Sequence, residues 1–124
     1  MHHPDFVIFY VDNPLTSAGF YSELLNIQPV ETAPTFVLFV FESGLKFGLW
    51  SRDTVEPQAL VGSAGTAELV ISAPSADAVH ALYDNWKNRG LTFLQLPTEM
   101  DFGLTFVALD PDGHRLRVYV RVAV

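Results

Sequence analysis

Phe6-Val7-Ile8-Phe9-Tyr10-Val11-Asp12-Asn13-Pro14 is the stretch whose reading decides the fold. Six apolar residues in a row, rich in aromatic and β-branched types, read as a strand apolar on both faces. Such a strand is expected inside a sheet, with cover on both sides. Asn13 can accept hydrogen bonds from the amides of a first helical turn and Pro14 suits the first helical position, so a helix is expected to begin there. Leu15, Ala18, Tyr21 and Leu25 recur at the three-to-four spacing of one buried face, which predicts a helix over 14–25. The same succession occurs again further on. Ala67 to Ser72 reads as a strand, Ser75 as a helix cap, and Val79, Leu82, Tyr83 and Trp86 follow the i, i+3, i+4, i+7 pattern until Gly90 ends the helix.

Working outward, three strand-like runs follow each helix. In the first half they are Val30 to Thr32, Thr35 to Glu42 and Leu45 to Ser51, with Ser43-Gly44 as a hairpin turn between the last two. In the second half they are Leu91 to Leu96, Phe102 to Leu109 and Arg115 to Val122, with Asp110-Pro111-Asp112-Gly113 turning between the last two. The order βαβββ thus occurs twice. The expected fold class is α+β, two βαβββ modules forming a curved, partly closed mixed β-sheet around a cavity. One domain, 1–124, is predicted, with module 1 over about 5–52, a linker over about 53–65 and module 2 over about 66–124. The linker holds Pro57 and Gly62-Ser63-Ala64-Gly65, and its length allows the modules to pair within one chain or to exchange between two.

Composition narrows the function classes. The 124 residues allow roughly two-thirds of the unfolded surface to be buried. No apolar run reaches the ~18 residues of a membrane span, although 49% of residues are hydrophobic. The start Met1-His2-His3-Pro4-Asp5 lacks the basic and apolar regions of a signal peptide, so a cytoplasmic protein is expected. With no cysteine, disulfides and thiol nucleophiles are excluded. A net charge of −7 with only seven Lys and Arg argues against nucleic acid as a partner, because affinity for it comes largely from cations on phosphates. Neither a phosphate-cradling Gly-Lys-Ser/Thr loop nor a Gly-x-Gly-x-x-Gly turn nor a Gly-x-Ser-x-Gly elbow is present. His2, His3, His80 and His114 are dispersed and make no site.

Val11-Asp12-Asn13 with Ser17 and Phe20-Tyr21 at the first helix, and Asp110-Pro111-Asp112-Gly113-His114 before the last strand, resemble the glyoxalase/bleomycin resistance/dioxygenase superfamily, the vicinal oxygen chelate fold. The likeness covers essentially the whole chain. Within the superfamily, Phe47-Gly48-Leu49-Trp50-Ser51, Asp84-Asn85-Trp86-Lys87 and Arg115-Leu116-Arg117-Val118 look most like its phenazine-resistance members, which bind a drug rather than transform it. The resemblance also implies metal-ligand positions on the first and last strand of each module. Here they fall on Phe6, near Gly48, on Glu68 and on Arg117. Phe cannot ligate, none of Lys46 to Trp50 is Glu, His or Asp, and Arg117 would repel a cation. One carboxylate does not hold Zn, Fe or Mn, which need about three or four ligands, so no metal and no cofactor are expected.

Strand alternation indicates what lines the cavity instead. If Phe6 points inward, so do Ile8 and Tyr10. If Glu68 and Arg117 do, so do Val70, Ser72, Arg115 and Tyr119, leaving Leu116, Val118 and Val120 for the helix side. Trp50 should share the inward face with Gly48, whose missing side chain would leave room for a flat ligand beside the indole. The candidate ligand-binding residues are therefore Trp50, Gly48, Phe6, Tyr10, Glu68, Phe102, Arg117 and Tyr119, with no catalytic residue. Each has a plainer alternative: the aromatic residues can simply fill core, and Glu68 and Arg117 can pair across adjacent strands as a structural bridge.

The expected function is binding of a planar aromatic small molecule, a phenazine-like antibiotic by resemblance, held away from its target by a metal-free homodimer that conveys resistance. Two alternatives stay open. One is a lyase or dioxygenase-type enzyme with a divergent site, including Glu68 as a base. The other is a non-binding structural dimer whose cavity is packed shut.

Overall fold

The computed structural model describes residues 2–60, 62 and 64–121. The chain divides into two compact units, residues 1–61 and 62–124.

In the first unit the order is β1 (Phe6–Val11), α1 (Pro14–Leu25), β2 (Glu31–Ala33), β3 (Phe36–Val40) and β4 (Lys46–Ser51). Asn13 Oδ1 accepts from the amides of Leu15 and Thr16 at 3.1 and 3.3 Å, with Pro14 just behind it at the start of the helix. The helix closes on Asn26, which takes the left-handed conformation at φ 52°. The strands lie in the order β1-β4-β3-β2, with β1 parallel to β4 and the other pairs antiparallel. Phe9, Val11, Val37, Phe39, Phe47 and Leu49 are buried on one face of this sheet, and Ala18 and Tyr21 of α1 are buried with them. Phe47 is the hub: its ring meets those of Phe9, Tyr21, Phe39 and Phe41 at centroid distances of 4.9 to 6.2 Å.

Two expectations for this unit are corrected. β1 is an edge strand of its sheet, not an interior one, and its second face is uncovered: Phe6 and Tyr10 are 40% and 45% exposed. Hydropathy alternation cannot separate a strand covered twice from one covered once whose other face stays apolar. On α1, Leu15 is exposed and Ser17 is buried in its stead, because the buried stripe starts at Pro14 and runs through Ser17, Ala18 and Tyr21.

The second unit repeats the order with β5 (Glu68–Ser72), α2 (Ala76–Asn88), β6 (Thr92–Met100), β7 (Gly103–Leu109) and β8 (Arg115–Arg121). Its sheet runs β5-β8-β7-β6, again with one parallel pair, β5 with β8. Ser75 Oγ accepts from the Ala78 amide at 3.1 Å, and Gly90, at φ 83°, carries the chain out of α2. Val79 and Trp86 are buried on α2, and the Trp86 ring meets Phe106 edge-on at 5.3 Å. Leu69, Leu104, Phe106, Ala108, Leu116 and Val118 complete this core. The Asp110 turn is held from within: its Oδ1 accepts from the amides of Asp112 and His114, each at 2.9 Å, while Gly113 takes φ 88°.

β6 is longer than its apolar run suggested. It continues through Pro97 to Met100, with register shifts between Phe93 and Gln95 and between Gln95 and Thr98. A bulged edge strand tolerates a residue without an N–H, which a periodic reading counts as a stop. Phe102 leaves β7 for the two-residue turn between Met100 and Gly103. Val122 and Ser63, read above as strand end and linker, lie outside the described residues. The architecture is α+β, with two helices and eight strands in two four-stranded mixed sheets among the described residues, and neither sheet closes on itself.

Candidate functional site

In each unit the functional candidates lie on the sheet face turned away from the helix. In the first unit, Gly48 and Trp50 alternate along β4 with the buried Phe47 and Leu49, and the ladder sets them beside Ile8 and Tyr10 of β1 and Leu38 and Phe36 of β3. Phe36 meets Trp50 edge-on at 6.0 Å, and Lys46 Nζ stands 5.9 Å from the centre of the Phe6 ring. Phe6, Gly48, Tyr10 and Trp50 therefore share one face. The slot expected over Gly48 is not open: a Cβ there would lie 2.8 Å from Phe36 Cζ and 3.0 Å from Phe6 Cε1. The glycine makes room for two phenyl rings of its own sheet. Phe36 was missed by sequence reasoning, although its alternation with the buried Val37 and Phe39 was a usable signal.

In the second unit, Glu68 and Val70 of β5 and Arg115, Arg117, Tyr119 and Arg121 of β8 share the uncovered face, as alternation required. Glu68 lies across from Arg115 in the parallel ladder, yet its carboxylate turns to Arg117. Arg117 Nε donates to Oε1 at 2.8 Å and Nη2 to Oε2 at 2.9 Å, a bidentate pair, whereas Arg115 Nη1 is 4.0 Å away. Arg117 Nη1 donates further to Gln95 Oε1 at 3.3 Å and to Thr105 Oγ at 3.2 Å. Thr105, fully buried, donates its own hydroxyl hydrogen bond to the Val118 carbonyl at 2.8 Å.

This network has electrostatic consequences. The hydrogen bonds from Arg117 hold the Glu68 carboxyl below its usual range against the opposing effect of burial, and Glu68 in turn raises the Arg117 guanidinium. Side-chain exposures of 27% and 19% make this a half-buried pair. The bridge across strands, one of the alternatives for Glu68 and Arg117, is therefore present. Gln95 and Thr105 were missed. Thr105 lies two register positions from Val107, which pairs with Arg117, but the bulges of β6 hide the parity of Gln95.

Beside the pair lies an open pocket of about 410 Å³ lined by Val70, Phe102, Arg117, Tyr119 and Arg121. Its volume is in the range of small-molecule sites, ~300–1,000 Å³. Phe102, 42% exposed at the β6–β7 turn, leans back over it, its ring 6.0 Å from that of Tyr119 and 5.9 Å from Arg117 Cζ. The resemblance to the superfamily implies metal-ligand positions at Phe6, near Gly48, at Glu68 and at Arg117. Phe6 and Gly48 offer no donor atom, and both oxygens of Glu68 already face a guanidinium. Among the described residues no three His, Asp or Glu side chains come together as a metal-holding group, and no helix is long and apolar enough to cross a membrane.

The family model for the Glyoxalase/Bleomycin resistance protein/Dioxygenase superfamily matches residues 3–118, and the chain belongs to that superfamily. It is 31% identical over 118 residues to the phenazine antibiotic resistance protein EhpR of Enterobacter agglomerans, covering 93% of this chain and 89% of that one. Among solved structures, an Agrobacterium tumefaciens protein determined by NMR in solution is 51% identical, with a TM-score of 0.90 over 99% of this chain and 100% of its own. A glyoxalase-related enzyme from Fulvimarina pelagi superposes with a TM-score of 0.85 over 98% of this chain and 89% of its own, and at 19% identity it shares the fold alone.

Proposed function

We propose that this chain binds a planar aromatic small molecule, a phenazine-like antibiotic, and conveys resistance by holding it without metal and without transforming it. The observation that carries this reading is the aromatic-lined pocket of the second unit in a chain 31% identical to a phenazine resistance protein. Phe102 and Tyr119 present ring faces and edges to it, and Val70 adds an apolar wall. Trp50, Phe6 and Tyr10 present a second aromatic face on the first unit, with Gly48 beneath the rings. Covering roughly 300 Å² of ligand surface at ~25 cal/mol per Å² is worth ~7 kcal/mol gross, with ring stacking adding ~1. Association and ordering take back several kcal/mol, which leaves micromolar binding within reach. The same reading makes the protein a cytoplasmic homodimer, to be checked by light scattering on the titrated sample.

Equilibrium titration with phenazine, in the presence and absence of EDTA, tests the proposal on three proteins: unmodified, Phe102→Ala and Trp50→Ala. Binding unaffected by EDTA and weakened about tenfold by loss of one ring is the expected result. The substitution that weakens it assigns the ligand to that unit's face. Quenching of tryptophan fluorescence that survives in Trp50→Ala would point away from Trp50, since Trp86 is buried against Phe106. Retention of full affinity in both variants, or chemical turnover of the phenazine, would sink the reading.

A further inference from the structure

Within a chain of net charge −7, the uncovered face of β5 and β8 carries three arginines, Arg115, Arg117 and Arg121, against one carboxylate, Glu68. The three cations are not equivalent. Arg117 has given four of its five N–H donors to Glu68, Gln95 and Thr105, so its guanidinium is already filled and oriented by protein atoms. Arg115 stands at the edge of the same carboxylate, 4.0 Å from it, and is not among the residues lining the pocket. Arg121 lines the pocket, is exposed, and has no ion-pair partner among the described residues.

Along β8 the side chains of 117, 119 and 121 point to one face, and four residues at ~3.3 Å each separate Arg121 from Arg117 by roughly 13 Å. Glu68 faces Arg115 in the ladder, so its carboxylate lies at the opposite end of this face of β8 from Arg121. Between the two arginines stands Tyr119, with Phe102 folded against it. The arrangement is a ring-binding wall with a cation available at one end and a neutralised ion pair at the other.

Resting on the aromatic-binding reading above, we infer that this pocket selects aromatic acids, planar rings bearing a carboxylate, and that Arg121 is the residue that selects them. Arg117 is a positioning residue: it lines the pocket with a guanidinium held in place by Glu68, Gln95 and Thr105. The guanidinium of Arg121 matches a carboxylate in a forked, charge-assisted contact.

The test uses phenazine-1-carboxylate and uncharged phenazine as a matched pair, titrated into the full chain and into Arg121→Gln and Arg121→Lys. The unmodified protein is expected to prefer the carboxylate by about tenfold at low salt, since a charge-assisted contact is worth about twice a neutral one. The preference should shrink as salt is added. Arg121→Gln should weaken the carboxylate about tenfold more than phenazine, with the melting temperature unchanged, and Arg121→Lys should restore only part of the preference. If both ligands bind and Arg121→Gln weakens them equally or not at all, the assignment of Arg121 is overturned while aromatic binding stands. Binding of neither ligand to the unmodified protein overturns both.

Discussion

In residues 1–61 the sheet face turned away from α1 presents Phe6, Ile8, Tyr10, Phe36 and Trp50, whereas in residues 62–124 the matching face presents Glu68, Arg115, Arg117, Tyr119 and Arg121. The faces turned toward the helices do not differ in kind: each is a cluster of aromatic and aliphatic residues centred on one phenylalanine, Phe47 or Phe106. Helix-covered positions must be apolar wherever this topology folds, because nothing else removes the helix stripe from water. The uncovered face is free of that demand, and here it has diverged into an aromatic surface in one unit and a salt-bridged, cationic one in the other.

The contrast between covered and uncovered faces is sharpest at Phe47. Phe47→Ala should cost about 3–5 kcal/mol in chemical denaturation, because its ring is fully buried among four others. Phe6→Ala, on the opposite face of the same sheet, should cost about 0.5 kcal/mol or less. Equal costs would mean that the Phe6 face is covered in solution.

The contrast between the units is carried by Glu68. Glu68→Gln should destabilise by about 2 kcal/mol at neutral pH, since it leaves a half-buried guanidinium with its main partner gone. Because the folded-state pKa of Glu68 is lowered, its contribution is complete above the ordinary Glu value of ~4.3 and is lost as pH falls through the lower folded value. The stability gap between the unmodified protein and Glu68→Gln should therefore close on acidification. A gap that stays constant between neutral and strongly acid pH would show that the pair is not the source.

A smaller effect than at Glu68 is expected at Gly48. Gly48→Ala should cost about 1 kcal/mol, because the new methyl displaces the far edges of the Phe36 and Phe6 rings rather than backbone. Phe36→Leu should return part of that loss in the double variant. A Gly48→Ala protein as stable as the parent would mean that the rings swing aside freely, and the space over Gly48 would again be open to a ligand.

Much of the fold was legible because its signals are local. Asn13-Pro14 and Ser75 start their helices, Gly90 ends the second, and Asp110 to Gly113 make the last turn, each through bonds between neighbours in the chain. The parity of Glu68, Arg115, Arg117 and Tyr119 was legible too, since a strand permits only two faces. The reading failed where the answer depended on what lies beside a strand. β1 was placed inside a sheet because its second face is apolar, and β6 was cut short because Pro97 is tolerated only at a bulged edge.

By itself the sequence determined the doubled βαβββ order, the helix caps and the parity of the β5 and β8 side chains. Only the tertiary structure decided how the polar groups are matched. It turned Glu68 from the facing Arg115 to Arg117, brought Gln95 and Thr105 to the same guanidinium, filled the space over Gly48 with Phe6 and Phe36, and left Arg121 at the pocket. The physical reason is that alternation assigns a side chain to a face but not to a partner. Partners follow from register, bulges and side-chain reach across strands that are distant in the chain.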